Sequence, residues 1–393
     1  MDQLEAVRQV PDDVIACILR RLNPRSLAAS RCVCKDWRAV IDTQSLLRAD
    51  LLPLSVYGIF FVKENLLGRL EFFARPLMEH KIADKFDIPW HDQYDVLDHC
   101  NGLLLFKEWV VNPATRQCVA LPPPPPPCMG MEDFYDRRHL VFDPTVSPHY
   151  DVLSIPVVPH ELGNQTKFTM ETEWPPSPFT MSVFSSRTRR WEKRSFIRQG
   201  EGTGTTIADM KFSWKYRYAV CWRDALYVHC QDGSIMRITL SSQKYQVIPS
   251  PTDSNVAAGT YLYLGKSTKG VYCALICNEA QRLHIWLLHE FCGQKEWVLK
   301  KDVTIQPIVR IMYQDFGHHN YGLWTLQKNP YPGGFDNEPI VEKKFEWDLD
   351  TGITLEAAAM IKNDTYADMR ILGFHPYKEI LFLWTNSHRT IVG

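Results

Sequence analysis

The sequence predicts a mainly β protein with a small α-helical N-terminal domain, residues 1–50, followed by a strand-rich domain over 51–393. Three observations carry that expectation. Apolar residues recur at three and four positions between about Val10 and Ala49, the period of a helix. From Ser55 onward, short runs of Val, Ile, Phe, Tyr and Trp are separated by Gly, Pro, Asn and Asp, the pattern of many short strands. A hairpin-like unit then recurs at intervals of roughly fifty residues, the length of one propeller blade.

The helical region opens at Pro11 with Asp12 and Asp13, which place negative charge where a helix dipole favours it. Ile15, Ile18, Leu19 and Leu22 follow at the spacing of one apolar stripe. Asn23-Pro24 ends that helix and starts a second, because Asn suits the N-cap and proline the first helical position. Leu27, Ala28 and Val33 continue the apolar side. Lys35 to Ile41 gives a third short helix, with Trp37 and Ile41 four apart. Three short helices in so few residues bury too little to be stable alone, so a covering partner is expected.

In the second region the clearest strands are Gly102-Leu103-Leu104-Leu105-Phe106, Tyr218 to Trp222, Gly270 to Ile276 and Glu379 to Trp384. The repeated unit is a strand, a polar turn and an aromatic or β-branched residue opening the return strand. Copies run over Val111–Val119, Phe184–Trp191, Leu240–Tyr245, His289–Trp297 and Trp347–Ile353. This predicts a β-propeller of about six blades, with a strand such as Val56–Phe61 completing the last blade and closing the ring. An open β-sandwich is the competing fold, and it leaves the period unexplained.

At 393 residues the chain exceeds one ordinary hydrophobic core, so two domains are expected. With 45% hydrophobic and 23% charged residues it has the balance of a soluble globular protein. A formal net charge of −1 excludes a global field that would draw it to nucleic acid or an anionic membrane. The N-terminus lacks a signal-peptide pattern and no apolar run is long enough to span a bilayer, so cytoplasm or nucleus is expected. The eleven cysteines lack framework spacing, and Cys32/Cys34 and Cys273/Cys277 have no matching pair for zinc; free thiols, no metal and no cofactor are expected.

Several segments invite a sharper reading than they carry. Pro122 to Pro127 must form polyproline II and reads as a stiff loop in preference to an SH3 or WW ligand. Arg187, Arg189, Arg190, Lys193 and Arg194 surround Trp191, but a cluster inside a repeat turn reads as a solvated hairpin before a nucleic-acid site. His318-His319 and Asp98-His99 lack the companions of a metal site or catalytic triad.

The stretch Val10-Pro11-Asp12-Asp13-Val14-Ile15-Ala16-Cys17-Ile18-Leu19-Arg20-Arg21-Leu22, continued by Pro24, Leu27 and Ser30-Arg31-Cys32-Val33-Cys34-Lys35-Asp36-Trp37-Arg38, resembles the F-box motif. Val10 replaces the family's opening Leu, a conservative change. The resemblance implies that Val10, Pro11, Ile15, Ile18, Leu19, Leu22, Pro24, Leu27, Val33, Cys34 and Trp37 supply the interface with a Skp-family adaptor or the small core behind it. The competing reading makes these helices a structural cap. Farther on, Cys100-Asn101-Gly102-Leu103-Leu104-Leu105 running to Val111-Asn112-Pro113-Ala114-Thr115 and Leu121-Pro122 is similar to the kelch-like F-box-associated propeller of plant F-box families. That resemblance implies a non-catalytic substrate receptor of a Skp-cullin-F-box ubiquitin ligase, reaching cullin through the adaptor and holding a protein substrate on the propeller. The rival expectations are a propeller-type ligand-binding protein and a scaffold that assembles no ligase.

Overall fold

The computed structural model describes residues 11–46 apart from 23–25, 28, 29, 32 and 45; 58–62; 70–74; 96–161 apart from 114, 116, 129 and 160; 168–210 apart from 203; 219–252; 261–306 apart from 278, 279, 292 and 293; 325–326; 369–385; and 391–392. The chain divides into two compact units, Met1–Ser55 and Val56–Gly393.

In the first unit, α1 (Asp12–Leu19) and α2 (Lys35–Thr43) bracket a segment in which Ser26, Leu27 and Ser30 are helical. Their shared core is Ala16, Leu19, Leu27, Val40, Ile41 and Leu46, with Ile15 and Trp37 packed at its edge.

The second unit is built from antiparallel meanders. β1 (Gly58–Val62) and β2 (Leu70–Ala74) form a hairpin whose β2 edge pairs with β19 (Thr325–Leu326). β3 (Asp98–Cys100), β4 (Leu103–Leu105), β5 (Trp109–Asn112) and β6 (Gln117–Ala120) make a four-stranded sheet in chain order. The same order is kept by β7 (Tyr135–Val141), β8 (Asp151–Val157), β9 (Phe179–Ser185) and β10 (Arg190–Arg198), and by β11 (Ala219–Trp222), β12 (Ala225–His229), β13 (Ile235–Thr239) and β14 (Lys244–Ile248). A short parallel pairing, Ile197 with Lys244 and Arg198 with Tyr245, joins these two meanders at β10 and β14 into an eight-stranded sheet. β15 (Tyr261–Ser267), β16 (Gly270–Cys277), β17 (Arg282–Phe291) and β18 (Gln294–Thr304) follow, then β20 (Met369–Phe374), β21 (Leu381–Thr385) and β22 (Ile391–Val392).

The core lies between successive sheets. Leu103, Leu105 and Val110 of the β3–β6 sheet pack with Leu140, Val152 and Phe184 of the next. Phe179, Met181 and Phe196 pack in turn with Leu226, Met236, Ile238 and Tyr245. Val220, Tyr227 and Ile248 meet Leu264, Val271 and Cys273, and Ala274, Ile276 and Leu283 meet Met369 and Leu383. Each sheet is therefore apolar on both faces, which explains why β4, β8, β12 and β16 read as unbroken hydrophobic runs and are buried almost throughout. The fourth strands, β6 and β10, are largely exposed, and β10 is correspondingly rich in charge. The first strands neighbour one another, β3 with β7, β7 with β11, β11 with β15 and β15 with β20. Sheets stacked face to face around inward first strands are the blades of a β-propeller, and among the described residues five sheet units stack in this way, with β1, β2 and β19 forming one further sheet.

Local turn chemistry supports the register. Asn101 (φ 44°) and Gly102 (φ 88°) form the two-residue link between β3 and β4, the left-handed pair that an Asn-Gly hairpin supplies without steric cost. Four of the five hairpins read from sequence fall at strand links β5–β6, β9–β10, β13–β14 and β17–β18. Trp347–Ile353 and His318-His319 lie outside the described residues. Among the described residues the N-terminal strand is not paired with the last sheet, contrary to expectation. β1 and β2 recruit residues 325–326, whereas β20, β21 and β22 pair among themselves. A short link such as that from Phe374 to Leu381 loses less chain entropy than reaching back across the domain.

Candidate functional site

The helical unit presents the apolar surface on which the sequence concentrated its candidates. Pro11 stands at the N-cap of α1, and its carbonyl accepts from Val14 N at 2.9 Å and Ile15 N at 3.1 Å. Asp12 and Asp13 occupy the first turn, complementing the dipole. The helix tightens at its end, where Arg21 N donates to Ile18 O and Leu22 N to Leu19 O, both at 3.1 Å. Cys34 caps α2: its Sγ accepts from Trp37 N at 3.4 Å.

Polar links tie the elements together around the core. Arg31 donates to both carboxylate oxygens of Asp42, at 2.7 and 2.9 Å, and Arg20 Nη2 reaches Gln44 Oε1 at 2.9 Å. These groups face solvent and fix geometry more than they add stability, about 0.2–1 kcal/mol for an exposed pair.

The single stripe expected along α1 divides in two. Leu19 is 1% exposed and Leu27 5%, so both are core; Ile15 and Trp37 are half-buried against them. Ile18 is 56% exposed, Leu22 36% and Val33 65%. Pro11 and Cys34 are also exposed, while Val10 and Pro24 lie outside the described residues. The reason is geometric. A two-turn helix packed on two other short helices has one side covered, and the remainder of its wide apolar arc stays outside.

Val14, 47% exposed, was missed by the sequence reading. It lies four residues before Ile18, as Ile18 lies four before Leu22, so the three line one ridge of the helix. That spacing was available in the sequence, but it competed with the Ile15–Leu19 seam that turns inward. The ridge is an exposed apolar surface rimmed by Asp13, Cys17 and Arg21, the arrangement of a protein contact site.

In the sheet unit, the proline run joins no strand and is strapped to β10, with Trp191 Nε1 donating to Pro122 O at 2.8 Å and Lys193 Nζ to Pro127 O at 3.1 Å. The basic cluster around Trp191 follows the solvated-hairpin pattern: Arg194 pairs with Glu192 at 2.9 Å, and the flanking side chains are exposed or half-buried. Asp98 accepts from His99 N at 2.8 Å through Oδ1, while its Oδ2 accepts from Leu140 N at 2.9 Å and faces His139 Nδ1 at 3.3 Å on the neighbouring sheet. Among the described residues no cluster of His, Cys, Asp and Glu has the makings of a metal site, and no helix is long and apolar enough to cross a membrane.

Comparison with known proteins bears on both units. Residues 8–49 match the F-box domain. The F-box protein At3g07870 of Arabidopsis thaliana is 22% identical over 323 residues, covering 74% of this chain and 72% of that protein. The putative F-box protein At5g15660 of the same plant is 22% identical over 358 residues, 83% of this chain and 73% of that one. F-box protein At5g65850, again from Arabidopsis thaliana, is 29% identical over 186 residues, 42% of this chain and 43% of that one. Among solved structures, a complex of the fission yeast SREBP-SCAP binding domains aligns with 50% of this chain and 60% of its own at 10% identity, with a TM-score of 0.23 that carries no argument.

Proposed function

We propose that this chain, which carries an F-box domain at residues 8–49 and resembles plant F-box proteins beyond it, is the substrate-recognition subunit of a Skp-cullin-F-box ubiquitin ligase. The observation that carries the proposal is the uncovered apolar ridge of Val14, Ile18 and Leu22, with Val33, on an F-box domain. A Skp-family adaptor covers that ridge, and cullin is reached through the adaptor. Val10, Pro11, Val14, Ile18, Leu22, Pro24, Val33 and Cys34 meet the adaptor directly, whereas Ile15, Leu19, Leu27 and Trp37 shape the surface from within.

The sheet unit holds a protein substrate and performs no bond chemistry; ubiquitin transfer gains from the raised effective concentration of substrate lysines beside the charged conjugating enzyme. The Gly102–Leu105 strand and Asn112-Pro113 turn support a kelch-like, F-box-associated type for this propeller. The working compartment is the cytoplasm or nucleus, where such ligases act.

The test is co-elution of the full chain with the Skp adaptor and cullin in one size-exclusion run, beside Trp37→Ala. A complex formed by the wild type and lost in the variant is the expected result. No complex with either protein returns the helices to a structural cap, and adaptor without cullin makes the chain a scaffold.

A further inference from the structure

The sheet unit contains a cleft whose polar groups are left open. It lies where β7 begins and β8 and β12 end, and its wall includes Arg137, His139, Trp174, Phe179, Met210 and Met236. Arg137 and His139 are two apart on β7 and so project from one face of the strand. His139 is 1% exposed, and its Nδ1 lies against the Asp98 carboxylate at 3.3 Å, which leaves Nε2 as the group available to the cleft.

Neither the Arg137 Nη1 nor the His139 Nε2 has a hydrogen-bond partner, although both atoms are buried. The nearby polar groups are already engaged. Gln231 closes a two-way bridge with the Val158 backbone at 2.8 and 2.9 Å, and Asp232 accepts from Ser234 N and Oγ at 3.0 and 2.6 Å. Burial pulls the Arg137 guanidinium below its ordinary pKa. Arg137 is half-buried with its Nη1 enclosed and unpaired, and unpaired buried polar atoms concentrate where a ligand completes them.

We propose that this cleft binds the carboxylate of an acidic side chain, presented by a partner protein segment with an apolar or aromatic residue beside it. The carboxylate takes the Arg137 Nη1 donor, His139 Nε2 supplies a second polar anchor, and the partly buried Met210 receives the apolar neighbour. The cleft has a volume of about 40 Å³, room for about three or four waters at about 10–15 Å³ each, which a carboxylate head displaces. The assignment rests on the reading of the sheet unit as a substrate holder and gives that substrate a chemistry.

The experiment is calorimetric titration of the full chain with N-acetyl-Phe-Glu-Phe-amide. Controls are its Gln counterpart, its phosphoserine counterpart and sodium acetate. The Glu peptide should bind roughly 10- to 100-fold more tightly than the Gln peptide, the span of one charge-assisted hydrogen bond. Arg137→Met should reduce the Glu peptide to the level of the Gln peptide. That variant should melt no lower than the wild type, because an apolar side chain of similar length removes the enclosed, unpaired Nη1. Equal binding of the Glu and Gln peptides, or unchanged binding by Arg137→Met, overturns the proposal. Tighter binding of the phosphoserine peptide overturns the carboxylate assignment, and acetate binding as tightly as the Glu peptide overturns the protein-segment assignment. The same Arg137→Met protein run with the Skp adaptor separates the two readings. Adaptor co-elution with no peptide discrimination defeats only the cleft, and peptide discrimination with no adaptor complex defeats only the ligase reading.

Discussion

Replacing Ile18 and Leu22 together by alanine isolates what the exposed ridge contributes to adaptor binding. Full burial of such a side chain is worth ~1.5–3 kcal/mol. Ile18 has 56% of its surface left to cover and Leu22 36%, so complete cover of both is worth somewhat less than one whole side chain. Alanine retains the β-carbon, which brings the expected loss to about 1–2 kcal/mol. That is about a five- to thirtyfold weaker dissociation constant. The fold itself should be nearly indifferent, because exposed substitutions toward alanine in or beside a helix change stability by about 0.5 kcal/mol or less. The assay is titration of the full chain with the Skp adaptor, paired with a melting curve of each variant. A double variant that binds within twofold of the wild type with an unchanged melt would refute the assignment of the ridge to the adaptor.

The core gives the opposite signature. Leu19→Ala opens a cavity among Ala16, Leu27, Val40 and Ile41 and should cost the helical unit about 2–5 kcal/mol; lost helical circular dichroism with the sheet unit's near-ultraviolet signal intact is the outcome expected. A pH dependence follows from Tyr263, whose phenol burial pushes up to about 12, with Asp98 adding to the shift. An acid whose folded pKa is raised lends stability that is complete below its unfolded value and fades as pH rises from there through the folded value. Between pH 10 and 12 the wild type should therefore lose about 2–3 kcal/mol that Tyr263→Phe does not lose, measured as the difference between their denaturant midpoints; parallel curves would dismiss the effect.

Local chemistry made much of this architecture legible. Pro11 and the two aspartates mark the start of α1, Asn101-Gly102 marks a tight hairpin, and the uninterrupted runs at Leu103–Leu105 and Gly270–Ile276 announce strands buried on both faces. What stayed hidden depends on distant partners. Ile18 and Leu19 are adjacent and equally apolar, and only the position of Leu27 and Val40 decides that Leu19 turns inward. Asp98 bonds the backbone of its chain neighbour His99 but also finds His139 on the next sheet, which no local pattern announces. Arg137 is inconspicuous in a strand with other charges, and its isolation emerges only when the walls around it close.

The pairing of β2 with residues 325–326 sets a timetable for the nascent chain. The helical unit is fully synthesised by Ser55 and has no need of later residues to form its core. The β1–β2 hairpin, made next, waits for Thr325 and Leu326, an interval on the order of 10–50 s at about 5–20 residues per second. During that interval the later blades assemble in order while the β2 edge stands open, a template for stray pairing. Translation speed across this span would then set how long that edge stays exposed to stray pairing.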